Sequence, residues 1–136
     1  MVKISIGYQG NLRCRLVHGP SGETIVTDAP VDNMGKGEAF SPTDLAAAAL
    51  GSCMLTVMGI VAQRNNINLA ETQVEVIKEM VTSPVRRIGK IDIFFRMPSG
   101  INPSQRAMLE RTAQTCPVHK SLHPDIEIPI RFEYPD

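Results

Sequence analysis

Neither sign of charge is in excess in this chain: 14 Lys+Arg balance 14 Asp+Glu over 136 residues. Nucleic-acid binders normally carry a clear basic surplus, so that class is set aside. Cysteine is scarce and odd in number, at three residues. MVKISIGYQG at the N-terminus alternates apolar and polar residues, with neither the apolar run nor the small-residue cleavage site of a secretory signal. A disulfide scaffold is therefore excluded, and a cytoplasmic protein is expected. Also missing are a Gly-rich phosphate loop, a nucleophile elbow, a CxxC pair, an internal repeat and a linker. These absences leave no motif for phosphate cradling, for serine hydrolysis or for thioredoxin-type exchange.

What is present describes one domain, residues 1–136, with 43% hydrophobic and 21% charged residues, near globular averages. Nineteen residues from Leu45 to Gln63 carry no formal charge. That length raises the question of a membrane span. The alanines, Gly51, Ser52, Thr56 and Gly59 make the segment only modestly hydrophobic, and no basic cluster flanks it, so no membrane is expected. The better reading is a helix apolar nearly all round, hence buried on nearly every side. In so small a chain, either a sheet wraps around it or a second subunit covers it. Ser41-Pro42-Thr43-Asp44 starts it with a capping hydroxyl, a proline at the first helical position and a carboxylate at the third, and Asn65-Asn66 ends it.

Three strands precede the helix. Val2, Ile4, Ile6 and Tyr8 alternate with polar residues, and so do Leu12, Cys14 and Leu16; Glu23–Asp28 forms the third. Residues 29–40 read as a mobile loop. After the helix, Thr72–Thr82 and Ile88–Met97 form an antiparallel pair across Ser83-Pro84. A second helix starts at Asn102-Pro103, a short one at Pro117, and a last strand carries Ile126, Ile128, Ile130 and Phe132 on one face. Pro129 on its other face suggests a sheet edge. The class is α+β.

Few residues can carry chemistry. Pro117 places Cys116 at a helix N-cap, where the dipole and unpaired N–H groups favour a thiolate, with His119 and Lys120 close behind. An ordinary buried cysteine fits equally well. Cys53 sits mid-helix among small residues, and by spacing alone reads as core. Cys116, His119 and His123 form C-x2-H-x3-H, three potential zinc ligands, but Pro124 directly after His123 argues against a continuous helix there. No metal or cofactor is expected. Cys14 reads as core. Arg13 and Arg15 share the opposite face of its strand, and the seven methionines fill gaps around the long helix.

Taken together, Ser41-Pro42-Thr43-Asp44-Leu45 running through alanines into Gly51-Ser52-Cys53, followed by Cys116-Pro117-Val118-His119-Lys120-Ser121-Leu122, resembles the OsmC/Ohr family of osmotically inducible and organic hydroperoxide resistance proteins. The resemblance covers nearly the whole chain. It implies antiparallel sheets wrapped around a long buried central helix in an intertwined homodimer. It implies a thiol peroxidase in which Cys53 attacks an organic hydroperoxide, becomes a sulfenic acid, and is resolved to a disulfide by Cys116 that an external dithiol reduces. The chain departs from the better-known members at Thr43, where they carry a glutamate ten residues before the first cysteine. Asp44 is the substitute considered. Those members activate the thiol with an arginine, whereas the 29–40 loop offers only Lys36, leaving Arg13 and Arg15 as the other candidates and His119 as a tuning group.

Substrate would be an apolar peroxide if Met54, Met58 and Phe40 line the pocket. Two other classes remain open: a hot-dog-like thioesterase using Asp44 as its carboxylate, and a non-enzymatic dimer holding a small apolar ligand.

Overall fold

The computed structural model describes all residues from 1 to 136. The backbone gathers into two compact units, 1–46 and 47–136.

In the first unit, β1 (Ile4–Gly10), β2 (Arg13–His18) and β3 (Thr24–Asp28) form an antiparallel sheet in that order. The β1–β2 hairpin turns through left-handed backbone at Gly10, Asn11 and Leu12, with φ of 85°, 54° and 63°. For a leucine that conformation costs about 1–2 kcal/mol. Two hydrogen bonds hold it: the Leu12 N–H donates to the Tyr8 hydroxyl at 3.2 Å, and its carbonyl accepts the Ala29 N–H at 3.1 Å. Cross-strand pairing puts Ile4, Ile6, Tyr8, Leu16 and Ile25 on one sheet face. Ile4, Ile6 and Tyr8 are each more than half exposed.

The 29–40 segment is more constrained than its composition suggests. A 3₁₀ turn at Val31–Asn33 is tied down by the Asn33 and Gly35 N–H groups, both donating to the Pro30 carbonyl at 2.9 Å. A side chain at position 35 would collide with the Ala29 carbonyl, its Cβ only 1.7 Å away, so only glycine fits. The Asp28 N–H donates to the Phe40 carbonyl at 3.1 Å and closes the loop at its base.

The long helix, α1 (Pro42–Arg64), begins with the expected reciprocal cap. Ser41 Oγ accepts the Asp44 N–H at 3.0 Å, and the Asp44 carboxylate accepts the Ser41 N–H at 2.9 Å.

The second unit is a sheet of β4 (Gln73–Val81), β5 (Arg87–Arg96) and β6 (Ile130–Glu133), with the rest of α1, α2 (Pro103–Ala113) and α3 (Pro117–Ser121). β4 and β5 pair antiparallel, and β6 joins β5 in parallel. The parallel strand follows from the crossover through α2 and α3, which returns the chain to the start of the sheet. β6 is an edge strand, as Pro129 suggested, and the Pro129 carbonyl still accepts the Ile93 N–H at 2.9 Å.

Alternation sends Ile91, Ile93 and Phe95 of β5, and Met97 just after it, inward against Leu50, Met54 and Met58 of α1 and Leu109 and Ala113 of α2. Phe95 stacks on its cross-strand partner Phe132 at 4.7 Å. α1 is long and apolar enough to cross a bilayer by composition alone, yet its Ala47–Leu50–Met54–Met58–Ala62 stripe belongs to this core. Within the chain one face of the helix is covered. Ala49, Ser52, Thr56 and Ile60 form an exposed, uncharged stripe on the other.

α2 starts with a capping box: the Asn102 side chain accepts the Gln105 N–H at 2.9 Å, and the Gln105 side chain accepts the Asn102 N–H at 3.1 Å. Arg106 then latches the C-terminal residues. Its guanidinium lies 4.3 Å from the Tyr134 ring centre and 2.9 Å from an Asp136 carboxylate oxygen. The Tyr134 hydroxyl donates to Glu110 at 3.3 Å.

Burial, and then the neighbouring Glu110 charge, push the Tyr134 hydroxyl up to about 12, with Arg106 opposing. In a Tyr8→Phe background the one remaining tyrosine should ionise near that value in a spectrophotometric titration. An unfolded tyrosine ionises near pH 10, so this group's contribution to stability is complete below that pH. It is lost as pH rises to about 12. Denaturant melts across that window should show the loss in wild type and not in Tyr134→Phe.

Candidate functional site

Within the second unit the structure brings together the two cysteines that the sequence singled out, although 63 positions separate them. Cys53 lies on α1 at the margin between its buried and exposed faces and is half-buried. Gly51, two residues earlier, is the reason the helix can sit so near the sheet. A Cβ there would lie 2.8 Å from Val76 Cγ2 and 3.4 Å from Val74 Cγ1. Cys116 comes from the other side of the core, at the N-cap of α3, and is fully enclosed. The two thiols are neighbours, the Cys53 sulfur acting to raise the Cys116 pKa, and both are free.

Pro117 occupies the first helical position as expected, and the Cys116 sulfur accepts the His119 backbone N–H at 3.2 Å. His119 therefore acts on the thiol through its main chain. Of the two readings left open for Cys116, enclosure in the core outweighs the cap. Burial raises its pKa, the His119 N–H opposes that, and the adjacent Cys53 sulfur raises it further. Desolvation outweighs the cap, so Cys116 is held as a neutral thiol at neutral pH.

The zinc alternative also meets a geometric obstacle. The α3 cap residue Leu122 is already extended, at ψ 154°, which puts His123 beyond the helix end. His123 is exposed, and its Nδ1 accepts the Asp125 N–H at 3.1 Å. The two histidines do not share one helix face.

Met54 and Met58, expected along a substrate pocket, are instead fully buried in the core. The Asp44 carboxylate, weighed as a thioesterase carboxylate, accepts the Ser41 N–H in the α1 cap.

In the first unit a different cluster forms. Arg13 Nε and Nη2 make a two-pronged contact with the Asp28 carboxylate at 2.6 and 2.8 Å. Asp28 also accepts the Glu38 N–H at 3.1 Å, and Glu38 Oε2 is 3.8 Å from Arg13 Nη2. Lys36 adds a weaker positive field on Asp28. Arg15 shares the Arg13 strand face but is exposed opposite Val26. Of the cationic candidates, Arg13 alone has its direction fixed on both sides.

Asp28 was missed from sequence. A turn centred between Pro20 and Ser21 pairs position 13 with position 28, so counting the hairpin register would have found it.

Asp28 is 3% exposed, and the Arg13 hydrogen bond holds its carboxyl below the ordinary range despite the opposing effect of burial. Its contribution to stability is therefore present above the ordinary carboxylate pKa and lost as pH falls through the depressed folded value. Asp28→Asn should melt at lower temperature than wild type at pH 7, and the gap should close in strong acid. A gap that is constant with pH would count against the ion pair as its source.

Comparison with known proteins agrees with this architecture. Residues 35–131 match the family model described as OsmC-like protein. Among the curated proteins, none matches the chain. A structure from Psychrobacter arcticus 273-4, named provisionally as an osmotic stress induced and detoxification response protein, is 45% identical with a TM-score of 0.93, over 98% of this chain and 96% of that one. The organic hydroperoxide resistance protein OsmC of Legionella pneumophila superposes with a TM-score of 0.78 at 15% identity, over 98% and 96%. That of Elizabethkingia anophelis gives 0.77 at 16%, over the same shares. At those identities the last two speak to fold alone. With a core of this order, and a family model spanning most of its length, the chain belongs to the OsmC-like protein family.

Proposed function

We propose that this protein is a thiol peroxidase that reduces organic hydroperoxides, with Cys53 as the attacking thiol and Cys116 as the resolving one. The observation that carries the proposal is the pair of neighbouring free cysteines, one half-buried and the other enclosed. The Cys53 thiolate attacks the distal peroxide oxygen, the O–O bond breaks, and the alkoxide leaves with a proton as alcohol. The resulting Cys53 sulfenic acid meets the Cys116 thiol, which displaces the hydroxyl as water and forms the S–S bond. An external dithiol supplies the two electrons that reopen it. Osmotic stress and detoxification in the name of the 45% identical relative, and organic hydroperoxide resistance in those of two others, point the same way.

The working form in this proposal is a homodimer. The uncharged stripe of α1 and the Ile4–Ile6–Tyr8 sheet face are apolar surfaces that a monomer would leave in water, and a second copy of the chain covers them. Native mass spectrometry should give twice 14.9 kDa. A 14.9 kDa species at micromolar concentration would refute the dimer.

The catalytic proposal is tested with stoichiometric cumene hydroperoxide. Wild type should lose two free thiols and two hydrogens of mass. Cys116→Ser should stop at a trappable sulfenic acid on Cys53, and Cys53→Ser should lose turnover by about 100-fold or more. Full activity in Cys53→Ser, or three unchanged thiols in wild type, would rule the mechanism out. In the second case, Asp44→Asn in an acyl-thioester assay tests the alternative hydrolase.

A further inference from the structure

We infer that reduction of the Cys53–Cys116 disulfide is directional: the incoming thiolate attacks the Cys53 sulfur, and Cys116 is the leaving group. The inference rests on the two-cysteine reading above and deepens it by assigning which sulfur faces the reductant. Thiol–disulfide exchange proceeds in line, so the attacking sulfur approaches along the S–S axis from the far side of the sulfur it strikes. Attack on Cys116 would have to come through the core, because that residue has no exposed surface and sits among Leu109, Ala113, Phe95 and their neighbours. Cys53 is only half-buried, so attack on its sulfur meets no such barrier.

One group on the leaving side assists. A departing sulfur carries negative charge, and the Cys116 sulfur already accepts the His119 backbone N–H at 3.2 Å at the start of α3. Burial raises the Cys116 pKa on balance, which slows departure, and this hydrogen bond offsets part of that cost, so the direction of attack rests on access to the two sulfurs. The steps balance. A thiolate RS⁻ bonds to Cys53 as the S–S bond breaks, giving the mixed disulfide RS–S–Cys53 and a Cys116 thiolate that takes up a proton. The second thiol of the dithiol then attacks RS–S–Cys53 at the R-side sulfur, forming the oxidised cyclic dithiol and releasing the Cys53 thiol.

The test uses the wild-type protein and diamide, so that the disulfide is made without any peroxide chemistry. N-acetylcysteine, a monothiol, is then added briefly, the mixture is quenched in acid, and the position of the adduct is read by peptide mass mapping. Trypsin places the three cysteines on separate peptides, because Lys36 and Arg64 bracket Cys53, Arg111 and Lys120 bracket Cys116, and Arg13 and Arg15 bracket Cys14. The adduct should fall on Cys53 over Cys116 by about tenfold or more. A major adduct on Cys116, or comparable amounts on both, overturns the inference, as does failure of diamide to join the pair. If diamide closes the disulfide while peroxide does not, the peroxidase reading fails and the direction of reduction is still decided by the adduct.

Discussion

The seat of α1 on β4 is the contact from which the second unit is built. The helix comes down on Val74 and Val76 at Gly51, where any larger residue would force it outward. That close approach sets the height of the next turns, where Leu50, Met54 and Met58 join Ile91, Ile93 and Phe95 in one buried cluster. It also sets the position of Cys53. A shift of about 1 Å, of the kind a methyl at position 51 would demand, acts directly on the sulfur–sulfur approach. The packing term and the chemical term therefore rest on the same absent side chain.

The two units differ in how they hold their polar groups. In the second, ends are satisfied by caps: Asn102 with Gln105, and Cys116 with the His119 N–H. In the first, a buried carboxylate does the work. Asp28 gathers the Arg13 guanidinium and the Glu38 N–H, so one residue ties strand β2 to the loop that follows β3. The left-handed Leu12 lies immediately before Arg13, and its own backbone is bonded to Tyr8 and Ala29. Strain at one residue is thus offset by bonds that also aim its neighbour.

Much of this was legible in the residues. Local chemistry set the helix starts: Ser41-Pro42, Asn102-Pro103 and Cys116-Pro117 each did what a cap followed by proline does. Alternation revealed the inner face of β5. What escaped were properties that depend on three-dimensional neighbours. The electrostatics of Cys116 stayed open because the dipole of a cap is visible in sequence and the depth of burial is not. The 29–40 loop looked mobile because glycines and Asn33 advertise freedom, while the bonds to Pro30 and Phe40 that remove it are made by backbone atoms. The meeting of Cys53 with Cys116 came from family resemblance, since no local pattern spans 63 positions. Asp28 was within reach of a register count but carried no motif.

The neighbouring thiol pair has a consequence in chain entropy. A bond between the two sulfurs would close a loop spanning nearly half the chain. In the loop-entropy picture that removes freedom from the unfolded ensemble worth about 4 kcal/mol at 25 °C. That is a large share of the net stability of an ordinary domain, about 5–15 kcal/mol. Oxidant and reductant would then set the thermodynamic margin of the fold as well as the state of its sulfurs, and the chain would be hardest to unfold at the moment it has just spent its reducing equivalents.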